Sequence, residues 1–226
     1  MLASPKAYAR TCGAVYACVI VLGIFAEFYV RGSIVVHGDA VATAAKIAAH
    51  ETLWRAGMVA NLLGGAAYVV VTLMLYVLLE PVDKRISLLA AFFSIAGCAM
   101  TGTNVLLDFA ALSSTAAPAA LKTILGLHLP GYCVGLAFFG FYCALLGYLI
   151  VRSGYLPKFV GALLLVGGPC YVLNSCMVLL APAAWAAVPF DVTTISGVAE
   201  LVLTLWLLAM GVDVPRWNEK ACTVSP

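Results

Sequence analysis

The chain has 226 residues, of which 64% are hydrophobic and only 10% are charged, and its formal net charge is +2. A soluble domain of this length could not bury so much apolar surface, so the composition excludes a soluble protein and predicts a helical multi-pass membrane protein. The small net charge gives no reason to expect a nucleic-acid partner.

Six long apolar runs predict six transmembrane helices in a single membrane domain, residues 1–226. About 20 residues are needed to cross a hydrocarbon core of about 30 Å, and every run reaches roughly that length. The runs are 12–30, 57–79, 87–112, 129–151, 159–180 and 192–212.

The distribution of lysine and arginine predicts how these helices are oriented. Eight of these residues fall in the N-terminal segment, the 80–86 and 152–158 connections and the C-terminal tail, against four on the opposite side. The positive-inside rule therefore predicts that both termini are cytoplasmic. Trp54 and Trp185 fit an aromatic belt at the outer surface.

The first outer connection carries a helix start signal. Asp39 follows Gly38 and has the position and chemistry to cap a helix that begins at Ala40. The alanine-rich stretch after it predicts a short interfacial helix near residues 40–50. Further along, Gly167-Gly168-Pro169 predicts a kink in the fifth span, because proline removes a backbone donor. Broken helices line binding sites in some transporters.

Three charged side chains lie inside the apolar runs, and all three are acids: Glu27, Asp108 and Glu200. A charge at the bilayer centre costs about 2.5–3.5 kcal/mol on insertion scales, and such charges mark functional sites. We therefore take these three as candidate catalytic residues.

Other polar side chains fall at the same predicted depth, in the outer half of the membrane. Because lipid cannot hydrogen-bond them, we expect them to turn inward around a shared cavity, closed on the inner side and opening outward or sideways. As candidate ligand-binding residues we take Arg31, Glu51, Arg55, Asn104, His128 and Asn174.

A structural role is the alternative for part of this set. Glu27 and Arg31 are four residues apart, as are Glu51 and Arg55, so each pair could simply join neighbouring turns of one helix. Asp108 and Glu200 have no basic residue at helical spacing in their own runs. The three histidines and eight cysteines show no metal-ligand spacing, and no cofactor motif is present, so we expect neither a metal nor a cofactor.

Several stretches together resemble a bacterial family of multi-pass integral membrane proteins catalogued as a domain of unknown function. The resemblance covers about residues 13–211. It is carried by Phe25-Ala26-Glu27-Phe28-Tyr29-Val30-Arg31, Gly38-Asp39-Ala40, Ala42-Thr43-Ala44, Glu51 with Arg55, Phe139-Gly140-Phe141-Tyr142-Cys143, Gly147-Tyr148-Leu149, Ser153-Gly154-Tyr155-Leu156-Pro157, and Glu200 followed by Leu205-Trp206-Leu207-Leu208. The resemblance implies six spans in a bacterial plasma membrane and no particular activity.

Three functions fit these observations. The first is binding or transport of a small amphiphilic or lipid-like molecule, with arginines meeting an anionic headgroup and acids meeting a cation or proton. The second is an acid–base enzyme acting on a lipid or isoprenoid, such as an isomerase, cyclase or hydrolase. The third is an accessory membrane subunit whose acids only lock helices together. We place binding or transport first, with membrane lipid and the amphiphile as partners.

Overall fold

The computed structural model describes residues 4–222, and its regular secondary structure in that range is entirely helical. The helices are α1 Pro5–Ile34, α2 Ala40–Ala49, α3 Glu51–Leu79, α4 Lys84–Ser113, α5 Pro118–Ser153, α6 Lys158–Leu180, α7 Pro182–Ala186, α8 Thr193–Ala209 and α9 Val214–Cys222. The prediction of an all-α multi-pass membrane protein is confirmed. Five helices are long and apolar enough to cross a membrane, and the bent pair α8 and α9 makes up to six.

Most of the long helices extend beyond the predicted runs, whereas α8 is shorter than its run. Helix α5 begins at Pro118, well before the predicted start at 129. Lys122 interrupts the apolar run, but its side chain points outward from the helix while Leu121 is fully buried. Helix α8 ends at Ala209, where Gly211 takes a φ of +70° and the chain turns by 99° into α9. A φ in this range is reached at low cost only by glycine.

The six long helices form a ring in chain order. Helix α1 packs against α3, α3 against α4, α4 against α5, α5 against α6, α6 against α8, and α8 returns to α1. The ring has an end that carries α2, called here the α2 end, and an opposite end that carries α9, called the α9 end.

Helices α5 and α6 share the most extensive contact of any helix pair, and it includes two pairs of closely packed glycines. A β-carbon placed on Gly147 would lie 2.6 Å from the carbonyl oxygen of Gly161, and one placed on Gly140 would lie 2.7 Å from that of Gly168. Small residues of this kind let helix backbones meet in membranes. Pro169, where a kink is predicted, lies inside α6, which continues from Lys158 to Leu180.

Apolar side chains fill both ends of the ring. A large buried cluster at the α9 end includes Leu75, Leu149 and Leu203, and a smaller cluster at the α2 end includes Ile47 and Leu121. Helix α2 contributes to the smaller cluster, so it covers that end of the bundle. The space left between the two clusters lies near the middle of the ring.

The predicted start of α2 is confirmed. The Asp39 carboxylate accepts a hydrogen bond from the Ala42 backbone nitrogen at 2.8 Å, and the helix begins at Ala40.

We expect Asp39→Ala to weaken α2 by about 1 kcal/mol, because one backbone donor of the first turn loses its partner. Amide hydrogen exchange of residues 40–49 should then accelerate by about fivefold. Asp39→Asn keeps an acceptor at the same position and should exchange like the original protein. Equal exchange rates in Asp39→Ala and Asp39→Asn would show that the cap contributes nothing.

Candidate functional site

A cavity of about 540 Å³ lies in the middle of the ring. All six long helices contribute to its wall, which is mainly apolar. Its polar lining residues include Glu27, Asn61, Asn104 and Glu200. Because apolar clusters fill the ring at both ends, the cavity is bounded along the helix axes.

The cavity opens on the side of the bundle, between α3 and α4. Leu62 and Val69 of α3 and Ile95 of α4 line it and are also among the exposed apolar residues. Gly65 and Gly102 lie in the same part of the wall, and a β-carbon on either would meet no atom within 4 Å. We call this gap, lined by these five residues, the α3–α4 opening.

Glu200 is held by three tyrosine hydroxyl groups that come from three other helices. Tyr171 of α6 donates to Oε1 at 2.9 Å, and Tyr68 of α3 lies 3.1 Å from Oε2. Tyr16 of α1 also donates to Oε2, and the hydroxyl oxygens of Tyr16 and Tyr68 are 3.0 Å apart. Buried polar groups need such partners, so the four side chains tie four helices together at the cavity wall.

Glu27 forms a second polar contact point on the wall. Its Oε1 accepts a hydrogen bond from the Asn61 side-chain amide at 2.9 Å, and its Oε2 lies 3.4 Å from Nε2 of His128. The other ring nitrogen of His128 lies 3.6 Å from Oδ1 of Asp108. His128 thus stands between two carboxyl groups, one of which lines the cavity.

Asp108 forms an ion pair with Arg31 from another helix. The Arg31 guanidinium is 2.8 Å from Oδ1 of Asp108, and the Asp108 side chain is only 9% exposed. Trp54 donates to the Asp108 backbone oxygen at 3.0 Å, and its ring lies 5.9 Å from the Arg31 guanidinium carbon. Trp54 is therefore buried and does not belong to an outer aromatic belt.

Glu27 and Arg31 lie in a stretch of α1 that is not α-helical, and they have different partners: Glu27 contacts Asn61 and His128, and Arg31 pairs with Asp108. Residues Ile24–Arg31 form a π-helix, whose backbone hydrogen bonds span five residues where those of an α-helix span four.

The structure brings six of the nine candidate residues together and places three elsewhere. Glu27, Asn104 and Glu200 line the cavity, while Arg31, Asp108 and His128 form the ion-pair layer beside it. Glu51 and Arg55 pair with each other at 2.8 Å and are half exposed. Asn174 accepts from Trp185 at 2.9 Å, away from the cavity lining.

One of these candidates, His128, differs from its predicted setting just before the run 129–151. His128 does not open its helix; it lies inside α5 and is buried, 7% exposed. Asn104 is also buried and donates to the His128 backbone oxygen at 3.3 Å.

Sequence reasoning did not select the tyrosines around Glu200. The available signal was their position, because Tyr16, Tyr68 and Tyr171 lie inside apolar runs. Tyrosine normally concentrates at membrane surfaces, and a tyrosine at mid-depth needs a hydrogen-bond partner.

A ring of long apolar helices around a partly polar cavity defines this chain as a multi-pass helical membrane protein. Residues 11–211 match the family described as domain of unknown function DUF4386, and the chain belongs to that family. An uncharacterized protein from Archaeoglobus fulgidus is 34% identical over 143 residues, which make up 63% of this chain and 76% of that protein. No solved structure matches the chain.

Proposed function

We propose that the protein binds a small amphiphilic molecule that reaches the cavity from the bilayer. The observation that carries this proposal is the cavity itself, whose volume of about 540 Å³ lies within the range of small-molecule sites. A mostly apolar wall with a few convergent polar groups suits a ligand that has an apolar tail and a polar head.

The α3–α4 opening supplies the route. Apolar clusters occupy the ring at both ends, so a molecule moving along the helix axes would have to displace packed side chains. A molecule arriving sideways would pass only Leu62, Val69 and Ile95 and the two glycines. Its tail could stay among lipid chains while its head enters the cavity.

This proposal gives the candidate residues different roles. Glu27, Asn104 and Glu200 would contact the ligand. Arg31 and His128 would hold the neighbouring carboxyl groups in place. An acid–base enzyme acting on a lipid would use the same Glu27 and Glu200, and it would alter the lipid composition of cells that carry the gene, which binding alone would not.

Filling the α3–α4 opening should block binding. Gly65→Leu/Gly102→Leu places two larger side chains where a β-carbon meets no atom within 4 Å, so the helices need not move apart. We expect at least one of three tritiated probes, decyltrimethylammonium, decyl glucoside and decyl sulfate, to bind saturably to the protein in lipid nanodiscs. The double variant should weaken that binding by about tenfold or more.

A matched control adds the same bulk elsewhere. A β-carbon placed on Gly126 or Gly197 would also meet no atom within 4 Å, and neither glycine lines the cavity, so Gly126→Leu/Gly197→Leu should bind like the original protein. The proposal fails if none of the three probes binds saturably, or if the two double variants bind equally well.

A further inference from the structure

We infer that the ligand of this cavity carries a positive charge and that its amine or quaternary ammonium head docks against Glu200 and the aromatic rings beside it. The inference rests on the proposed binding function and names the chemical class of the ligand. It is carried by the charges on the cavity wall and by the rings that surround one of them.

The charged side chains that line the cavity are both acidic. They are Glu27 and Glu200, and no lysine, arginine or histidine of residues 4–222 belongs to the lining. A cavity whose only formal charges are negative attracts a cationic head and repels an anionic one.

The two acids differ in how their charge is balanced by the protein. Glu27 lies 3.4 Å from His128, and the adjacent Asp108 is paired with Arg31 at 2.8 Å. The described side-chain partners of the Glu200 carboxyl group are three tyrosine hydroxyl groups and the Cys143 thiol, which orient it without supplying a positive charge. A carboxyl group away from bulk water either stays protonated or needs a counter-charge, and a cationic ligand would provide that counter-charge.

Aromatic rings share the cavity with Glu200. Tyr68 and Phe139 have ring centroids 4.9 Å apart, and Tyr132 and Tyr171 line the same wall. Aromatic rings attract cations through their electron-rich faces, and several rings beside a charge suit an ammonium group. Small hard cations instead favour a shell of six or more oxygen ligands, which this mainly apolar wall does not resemble.

A ligand with an anionic head held by arginines does not fit the positions of Arg31 and Arg55. Arg31 is engaged with Asp108 beside the cavity, and Arg55 pairs with Glu51 at a half-exposed site. Neither side chain lines the cavity. The arginines therefore stabilise the protein's own acids.

The test compares the same three tritiated probes in lipid nanodiscs, with empty nanodiscs subtracted as background. Decyltrimethylammonium, decyl glucoside and decyl sulfate share one tail and differ in head charge. We expect the cation to bind at least tenfold more tightly than the neutral glucoside, and the sulfate to bind most weakly.

Variants then locate the effect. Glu200→Gln removes the charge with little change in size and should weaken binding of the cation at least tenfold more than it weakens binding of decyl glucoside. Glu51→Gln removes a half-exposed carboxylate outside the cavity and should leave all three affinities as they were. Phe139→Leu removes one aromatic ring and should weaken binding of the cationic probe alone, by about two- to fivefold.

The outcomes separate this inference from the proposed function. If decyl glucoside binds as tightly as the cation and Glu200→Gln changes neither, the charge assignment is wrong while amphiphile binding stands. If no probe binds saturably, both fall. If Glu200→Gln does not fold, the positive charge of the ligand is still tested by the ranking of the three probes on the unaltered protein and by the Phe139→Leu result.

Discussion

Replacing Arg31 with methionine should destabilise the protein by about 3–5 kcal/mol, because the change leaves Asp108 as a buried charge without its main partner. The two groups are 2.8 Å apart, and their side chains are only 17% and 9% exposed. Methionine keeps much of the apolar part of the arginine side chain, so the variant loses mainly the positive charge. The free energy of unfolding in mixed detergent micelles measures the effect.

A second ion pair in the same protein provides the control. Arg55 and Glu51 are also 2.8 Å apart but are 54% and 51% exposed. Arg55→Met should cost less than about 1 kcal/mol, because exposed pairs contribute little. The double variant Arg31→Met/Asp108→Asn should be more stable than Arg31→Met alone, since no lone charge remains. Equal losses in Arg31→Met and Arg55→Met would contradict the assignment of a buried pair.

Gly147→Leu should be a severely damaging packing change, with a loss of about 3 kcal/mol or more. Its β-carbon would lie 2.6 Å from the Gly161 oxygen and 2.7 Å from the Leu165 nitrogen, and these are main-chain atoms. Relief requires α5 and α6 to separate. Thermal unfolding in detergent and the yield of monodisperse protein measure the outcome.

The control for this change lies in the same helix. Gly126 of α5 has open space around it, so Gly126→Leu should leave the unfolding temperature unchanged or raise it slightly, because leucine favours helix more than glycine does. If both variants unfold at the same temperature, the close approach of α5 and α6 does not contribute to stability.

The spans and the cap of α2 could be predicted because each depends on local information. A long apolar run must be helical in a membrane, and Asp39 meets its backbone partner only three residues away. The predicted start of α5 is too late because Lys122 interrupts the apolar run. That lysine is exposed on a helix whose other face packs inside.

The partners of the acids could not be predicted in the same way. Arg31 and Asp108 are 77 residues apart in sequence, and their contact depends on how α1 and α4 pack. Residues Ile24–Arg31 also form a π-helix, a local form that the helical spacing used for the sequence does not include. The acids themselves can be found from the sequence because their cost in a membrane is a property of the residue type.

The glycines of α6 show that one sequence pattern can be consistent with two different structures. Gly167-Gly168 beside Pro169 is typical of a broken helix, but Gly168 serves close packing against Gly140. A second signal is present, since Gly140 and Gly147 have the same seven-residue spacing as Gly161 and Gly168. Matching spacings in consecutive antiparallel spans predict two points of contact.

The paired glycines also determine which parts of the protein can move. Main-chain atoms of α5 and α6 touch at two levels, so these helices should behave as one rigid body on every timescale short of unfolding. Relative motion of the helices should then occur mainly at the other helix–helix contacts of the ring. At the boundary of α3 and α4 there is open space around Gly65 and Gly102, so we expect the bundle to widen there when a ligand enters.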